Sequence, residues 1–236
     1  MPVLRNSPVP FDIAFDLELP HGRCVGIHLP GELAEEAAAH ARARLDAAEW
    51  AFAETLAPLR RHTWVGGRIA LREALRRSAI TSGAVLSKAR GAPALPQGVA
   101  GSVSHKATLA AAIIARDEDA TRGIDIEIVA PRSLESIAGI ARHALTEEEQ
   151  RDLAAMPEGL RGRELLVRFS AKEAIYKAID PFLNRYVGFK EVTLVPLEGG
   201  ATRIAGVFSP ALRIDATWQL VEAGSVILTT ARASRA

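Results

Sequence analysis

From Glu32 to Arg77 the chain is dominated by Ala, Glu, Leu and Arg, all strong helix formers, and Pro58 is the one residue that breaks the run. After it come short apolar runs bounded by Gly and Pro, and the same order then recurs: helix-forming sequence from Leu134, short apolar runs from Val192. Blocks of helix followed by blocks of short strands give an α+β fold, with small antiparallel sheets packed against helices. The expected helices are Glu32–Leu56, a second from Leu59 or Arg61 to Arg77, then Leu134–His143. Two more follow: one opened by a capping box of Thr146 with Glu149, and a long one from Arg161 to Ile179 stopped near Pro181. Arg23–Leu29 reads as a strand closed by Pro30-Gly31, and Ser78–Gly98 as a structured loop. Gly101–His105 and Leu109–Ala115 read as adjacent strands joined by a turn, with a third, Gly123–Val129, completing a small sheet. Further strands are expected at Val192–Leu197, Ala201–Phe208, Thr217–Val221 and Ser225–Ala231.

This organisation divides the chain into two similar α+β halves, 1–122 and 123–236, in a pseudo-twofold arrangement with a site at their interface. A faint echo supports the duplication: Trp64-Val65-Gly66-Gly67-Arg68 with Arg72 resembles Phe169-Ser170-Ala171-Lys172-Glu173 with Lys177. In each, an aromatic residue and small residues precede charges spaced four apart.

With 29 Lys and Arg against 28 Asp and Glu, the net charge of +1 implies no generic nucleic-acid or membrane partner. The single cysteine, Cys24, excludes an internal disulfide and a Cys-rich zinc site, and points to a reducing compartment. Met1–Phe11 reads as a loose lead without the basic patch and apolar stretch of a signal peptide. No apolar run approaches membrane-span length, so a cytoplasmic location is expected.

Two segments carry most of the chemistry. In Gly123-Ile124-Asp125-Ile126-Glu127, strand alternation sends the isoleucines to one face and both carboxylates to the other. The simple alternative is a solvated acidic strand face. In Phe169–Lys177, helical spacing sets Glu173 beside Lys177, which as a surface ion pair contributes a few tenths of a kcal/mol at most. If the two segments converge, three carboxylates and a lysine surround one point, and oxygen ligands of that kind suit Mg²⁺ sharing its shell with phosphates. Arg68, Arg72 and Arg76 fall on one helix face, either as a solvated stripe or as an anion-binding surface. Ser104-His105 ends a strand of small residues. No Gly-x-Ser-x-Gly elbow surrounds it, and neighbouring strand side chains diverge, so it is not half of a serine hydrolase triad. Walker and dinucleotide fingerprints are missing, and the remaining histidines form no His-x-x-x-His pair.

Read together, Gly123–Glu127, Phe169–Lys177, Gly91-Ala92-Pro93 with Gly101–His105, and Gly67-Arg68 resemble, in order, the signatures of the phosphopantetheinyl transferase superfamily. The likeness is to the group typified by the enzymes of surfactin and enterobactin synthesis, nearest the latter, and spans Arg61 to Phe189. The resemblance implies an enzyme moving 4′-phosphopantetheine from coenzyme A, its co-substrate, to a serine of an apo acyl or peptidyl carrier protein, leaving adenosine 3′,5′-bisphosphate. It implies that Asp125, Glu127 and Glu173 bind Mg²⁺, or Mn²⁺ in its place, and that Glu173 and Lys177 serve catalysis. It also implies that Arg61, Arg68, Arg72, Arg90, Ser104, His105, Lys172 and Lys177 contact coenzyme A. Ala92 stands where surfactin-type relatives carry a lysine, so that contact is either lost or supplied by Arg90 or Arg68. Arg161, Arg163 and Arg168 are candidates for an acidic carrier's docking face, and a monomer is expected. The competing readings are a Mg²⁺-dependent pyrophosphate or phosphopantetheine hydrolase and a non-catalytic module that binds coenzyme A or carrier. The pathway served, for siderophore, polyketide, peptide or fatty acid, is not written in these residues.

Overall fold

The computed structural model of the chain describes residues 9–206 and 211–236, which fall into two compact units, Met1–Glu118 and Asp119–Ala236. The first unit opens with a hairpin of β1 (Ile13–Leu19) and β2 (Gly22–His28). Sequence reading had no strand at β1, where Asp16 and Glu18 interrupt the apolar residues. The single helix expected over Glu32–Leu56 is two, α1 (Glu35–Arg42) and α2 (Ala47–Glu54). Asp46 separates them as the N-cap of α2: its carboxylate accepts from the Ala48 N–H, and Glu49 reaches back to the Asp46 N–H. Then α3 (Pro58–Arg77) starts with proline at its first position, where the missing N–H costs nothing, and β3 (Val99–His105) and β4 (Leu109–Arg116) complete the unit.

These strands form one antiparallel sheet in the order β1-β2-β4-β3. Its packing on α3 depends on Gly66 and Gly67. A Cβ at Gly66 would lie 2.0 Å from Leu29 Cδ2, and one at Gly67 would lie 2.7 Å from Val103 Cγ1. Val25, Ile27, Ala112 and Ile114 from the sheet and Val65, Ile69, Leu71 and Leu75 from the helix fill the space between. Cys24 is a buried free thiol in β2.

The third strand expected in this sheet belongs elsewhere. As β5 (Ala120–Ile128), it starts the second unit and pairs along its whole length with the last strand, β9 (Val226–Arg235). With β8 (Leu212–Val221) it makes an antiparallel sheet β5-β9-β8, so a strand's neighbour in sequence was mistaken for its neighbour in space. Between them come α4 (Leu134–Ala144), α5 (Glu147–Ala155), α6 (Glu158–Leu183) and a two-stranded ribbon of β6 (Thr193–Pro196) and β7 (Thr202–Ala205). The expected strand Ala201–Phe208 is thus observed in its first part, and Phe208 lies outside the described residues. Pro181 does not stop α6. Its ring is tolerated in the last turns, and the helix ends at Asn184 in the left-handed conformation, φ 50°. Ala171, Ala174, Ile175, Ala178 and Ile179 of α6 pack on Ala216, Ala231 and Ala233 of the sheet.

One device recurs in both units. The capping-box glutamate of a short helix, Glu49 in α2 and Glu149 in α5, is fully buried. Glu49 accepts from Arg72 of α3 and the Val85 N–H; Glu149 accepts from Lys172 of α6 and the Leu194 N–H. Near the start of the long helices, Arg61 and Arg161 donate to the last carbonyls of the preceding helix. These equivalences match Arg72 with Lys172, five residues out of step with the echo read from the sequence. Buried hydrogen bonds, not surface charge spacing, carry the repeat. Among the described residues no helix is long and apolar enough to cross a membrane.

Candidate active site

In the second unit the acidic strand and the long helix do converge. A Cβ at Gly123 would lie 1.7 Å from the Ala174 carbonyl oxygen, so only glycine lets α6 lie this close to β5. Asp125 and Glu127 alternate with Gly123 on the same face, and Lys177 reaches across from α6. Its ammonium donates to Asp125 Oδ1 at 3.0 Å and to the Ile124 carbonyl at 2.8 Å. Below them Ser170 Oγ lies 2.7 Å from Thr229 Oγ1, which in turn donates to the Asp125 carbonyl. Glu173 lies one helical turn before Lys177, half-buried. Asp125 and Glu127 are 4% and 6% exposed, which replaces the solvated acidic face with a buried one. Carboxylates at such depth need compensating positive charge, and the Lys177 ammonium supplies part of it.

Hard carboxylate oxygens with no sulfur or imidazole among them fit Mg²⁺ or Mn²⁺, and the ammonium seated on Asp125 marks a place where positive charge is stable. Among the described residues, no three His, Cys, Asp or Glu side chains are grouped so as to hold a metal by themselves. A cation there would draw part of its shell from water and substrate phosphate, as Mg²⁺ commonly does.

In the first unit the focus is Arg68, 5% exposed on α3. Its guanidinium lies over the Trp64 ring, 4.6 Å from the centroid, and Arg68 Nη2 and Trp64 Nε1 both donate to Ser87 Oγ, at 3.4 and 3.3 Å. Arg68 Nε and Nη1 are buried without a hydrogen-bond partner. Burial pushes its pKa down to about 10, against the pull of Glu49. A cation so placed, with donors unspent, is a receptor for an anion. Ser87 is also the base of a loop: it bridges to Pro93, while the Lys88 N–H donates to the Ala92 carbonyl and the Gly91 N–H to Lys88, leaving Lys88 and Arg90 exposed at the tip. On β3, Val103 and His105 face α3. The ring of His105 comes within 4.0 Å of a Cβ built at Gly67, next to Arg68, whereas Ser104 is buried on the opposite strand face.

Three residues expected to contact coenzyme A do other work. Arg61 commits Nε and Nη2 to the carbonyls of Ala53, Glu54 and Leu56, closing the C-terminus of α2. Arg72 gives Nε to Glu49 and Nη2 to the Gly83 carbonyl. Lys172 is 0% exposed and donates to Glu149 at 2.6 Å, Phe189 O at 2.8 Å and Ala144 O at 2.9 Å, so no ammonium proton is left for a phosphate. Of the arginines assigned to a docking face, Arg168 is buried on Leu194 O and Glu164, and Arg161 holds the carbonyls of Met156 and Ala154. Sequence reading missed Trp64 and Ser87 as the clamp on Arg68. The Trp64/Arg68 spacing of four on a helix was the available signal.

The chain's likenesses follow the same division. Residues 48–115 match the 4′-phosphopantetheinyl transferase N-terminal domain, and residues 122–231 match the 4′-phosphopantetheinyl transferase superfamily. The 4′-phosphopantetheinyl transferase Svp of Streptomyces mobaraensis is 32% identical over 154 residues, 65% of this chain and 61% of Svp. PptT of Mycobacterium tuberculosis (strain ATCC 25618 / H37Rv) is 30% identical over 157 residues, 66% of each chain. This chain therefore spans less than two thirds of Svp and about two thirds of PptT. Npt of Nocardia iowensis is 30% identical over 180 residues, 69% of this chain and 78% of Npt. The first domain match takes in Arg68, Ser104 and His105, the second takes in Asp125, Glu127, Glu173 and Lys177, and a relative is covered over most of its length: the chain belongs to the 4′-phosphopantetheinyl transferase superfamily.

Proposed function

We propose that this protein transfers 4′-phosphopantetheine from coenzyme A to a serine hydroxyl of an apo acyl or peptidyl carrier protein. The observation that carries the reading is the β5–α6 seam, where Asp125 and Glu127 are buried on one face of β5 and Lys177, one helical turn after Glu173, donates its ammonium to Asp125. Asp125, Glu127 and Glu173 would hold Mg²⁺, or Mn²⁺ in its place, which when bound offsets charge on the pyrophosphate oxygens. The serine oxygen bonds to the β-phosphorus while the bridging P–O bond breaks, and the electron pair leaves with adenosine 3′,5′-bisphosphate. Glu173 accepts the serine proton. Lys177 steadies the departing phosphate as a cation. Arg68 and His105 take the coenzyme A phosphates, with Arg68 on the 3′-phosphate and Arg90 contributing from its loop, while Ser104, on the other face of β3, does not join them. A cytoplasmic monomer, acting without nucleic acid or membrane, completes the proposal.

Incubation with coenzyme A, Mg²⁺ and several apo carriers, read by mass spectrometry, tests it. A carrier gaining the mass of phosphopantetheine with release of adenosine 3′,5′-bisphosphate is expected, and Glu173→Gln should nearly abolish the gain while coenzyme A still binds. Cleaved coenzyme A beside an unchanged carrier, or full activity in Glu173→Gln, would overturn the reading.

A further inference from the structure

Ser87 is fixed from two directions. Its backbone belongs to a narrow loop: Ser87 bridges to Pro93, the Ala94 N–H donates to the Leu86 carbonyl at 2.8 Å, and the Lys88 N–H donates to the Ala92 carbonyl at 2.8 Å. Its hydroxyl is fixed from α3, where Trp64 Nε1 lies 3.3 Å and Arg68 Nη2 3.4 Å from Ser87 Oγ.

The directions of these two bonds are not a matter of choice. An indole N–H and a guanidinium N–H can only donate, so Ser87 Oγ accepts in both. A hydroxyl has two lone pairs and one hydrogen, and here both lone pairs are taken. The hydrogen must therefore turn away from Trp64 and Arg68, and among the described residues it meets no acceptor. Ser87 is half-buried, at the base of the loop whose tip exposes Lys88 and Arg90.

Arg68 is in the same condition. Its Nε and Nη1 are buried without a partner, and the guanidinium, with its pKa held down to about 10 by burial, is still charged at neutral pH. The Trp64 ring, 4.6 Å away at its centroid, compensates the charge but accepts none of these protons in a directed bond. Two residues joined by one hydrogen bond thus share a shortage of acceptors. One anion with several oxygens relieves both, and a phosphate monoester brings three terminal oxygens.

We propose that Ser87 is a second contact for the 3′-phosphate of coenzyme A, its hydroxyl donating to the phosphate held by Arg68, so that the two residues select the phosphate monoester over a bare 3′-hydroxyl. This rests on the transferase reading, which brings coenzyme A to Arg68. Trp64 is the positioning residue: its N–H takes one lone pair of Ser87 and so turns the hydroxyl hydrogen toward the ligand. A site whose donors are left unmet by the analogue discriminates strongly against it.

Calorimetric titration of the full chain with coenzyme A and with 3′-dephospho-coenzyme A is the test. The parent should prefer coenzyme A by about 100-fold or more, two charge-assisted contacts at about tenfold each. Ser87→Ala should cut that preference by about tenfold and leave the affinity for the dephospho form within about threefold of the parent's, while Ser87→Thr, which keeps the hydroxyl, should retain it. Should Ser87→Ala fail to fold, judged by circular dichroism, the near-isosteric Ser87→Cys, a weak donor, carries the same expectation. In an Arg68→Ala background, Ser87→Ala should still lower the preference, by about threefold or more. No further fall there would mean that Ser87 only holds Arg68, and would overturn the contact. So would a full preference in Ser87→Ala and Ser87→Cys, or an equal loss of affinity for both ligands. A parent that binds the two forms equally would overturn Ser87 and the placing of Arg68 on the 3′-phosphate together, whereas the transferase reading itself stands or falls on the carrier assay with the parent protein.

Discussion

Replacing Lys172 with methionine separates a structural lysine from a catalytic one. The ammonium is fully buried and makes three bonds, to Glu149, Ala144 O and Phe189 O. Methionine fills much of the volume but leaves the Glu149 carboxylate, also fully buried, with only the Thr146 and Leu194 N–H groups for compensation. Breaking one side of a buried ion pair costs about 3–5 kcal/mol, chiefly through the charge left behind. Burial already presses the Lys172 pKa downward, so part of that cost is offset by the relief of its own desolvation. With a urea m-value of about 2 kcal/mol per molar, the unfolding midpoint should fall by ~1.5–2.5 M. The readout is a urea titration followed by far-UV circular dichroism and tryptophan fluorescence, with Glu149→Gln and the double variant completing a cycle. A coupling of about 2 kcal/mol or more is expected, because the two side chains share one bond network. In the absence of urea, the folded fraction of Lys172→Met should keep a kcat and a KM for coenzyme A within about threefold of the parent. A midpoint shift below about 0.5 M combined with abolished transfer would refute this reasoning and return Lys172 to the reaction.

Arg68→Ala should raise the Kd for coenzyme A by about 10–100-fold, the equivalent of losing one or two charge-assisted bonds, and should shrink the preference for coenzyme A over its 3′-dephospho form. Calorimetry on both ligands checks it, and a parent protein indifferent to the 3′-phosphate would refute the assignment. Gly123→Ala must push α6 off β5, because its methyl would meet the Ala174 carbonyl at 1.7 Å. A loss of about 2 kcal/mol or more in urea, together with a fall in transfer as Lys177 leaves Asp125, is expected. For pH, hydrogen bonds from Arg76 and then Arg77 hold Glu73 down to about 2 from an ordinary 4.5. A depressed carboxylate contributes stability above its unfolded pKa and loses it as pH falls through the folded one. The urea midpoint of Glu73→Gln should therefore lie below the parent's at pH 7, and the gap should narrow from pH 4.5 toward about 2; a gap that stays constant over that window would contradict the ion-pair account.

Legibility in the sequence followed the reach of each signal. The capping box at Thr146 and the Gly123–Glu127 alternation are local, and each has the expected counterpart in the structure, whereas Pro58, read as the break between helices, is the first residue of α3. The failures lie where partners are distant in sequence. Asp46 splits the first helix because Glu49 closes a box with it, and Glu49 is drawn inward by Val85 and Arg72, far along the chain. Similarly β5 looked like the continuation of the β3–β4 hairpin, but its partner is β9, about a hundred residues later. Nothing in residues 120–128 names that partner, since alternation fixes which face a side chain takes and not which strand lies alongside.

The arginines of α3 show the same limit for function. Arg68, Arg72 and Arg76 are spaced four apart, so helix geometry alone treats them as one stripe. The structure gives them three environments. Arg76 is exposed on Glu73, Arg72 is tied to buried Glu49, and Arg68 lies on Trp64 with two donors unspent. The difference comes from what packs over each turn: solvent, the α2 capping glutamate, and the Ser87 loop. Lys172 and Lys177 on α6 divide in the same way, the first taken by Glu149 and two carbonyls, the second resting on Asp125. A cation whose hydrogen-bonding capacity is met by the protein contributes to folding. One held in place with donors left over, as Arg68 is, has its remaining affinity available to a ligand, and that surplus distinguishes a binding arginine from its neighbours.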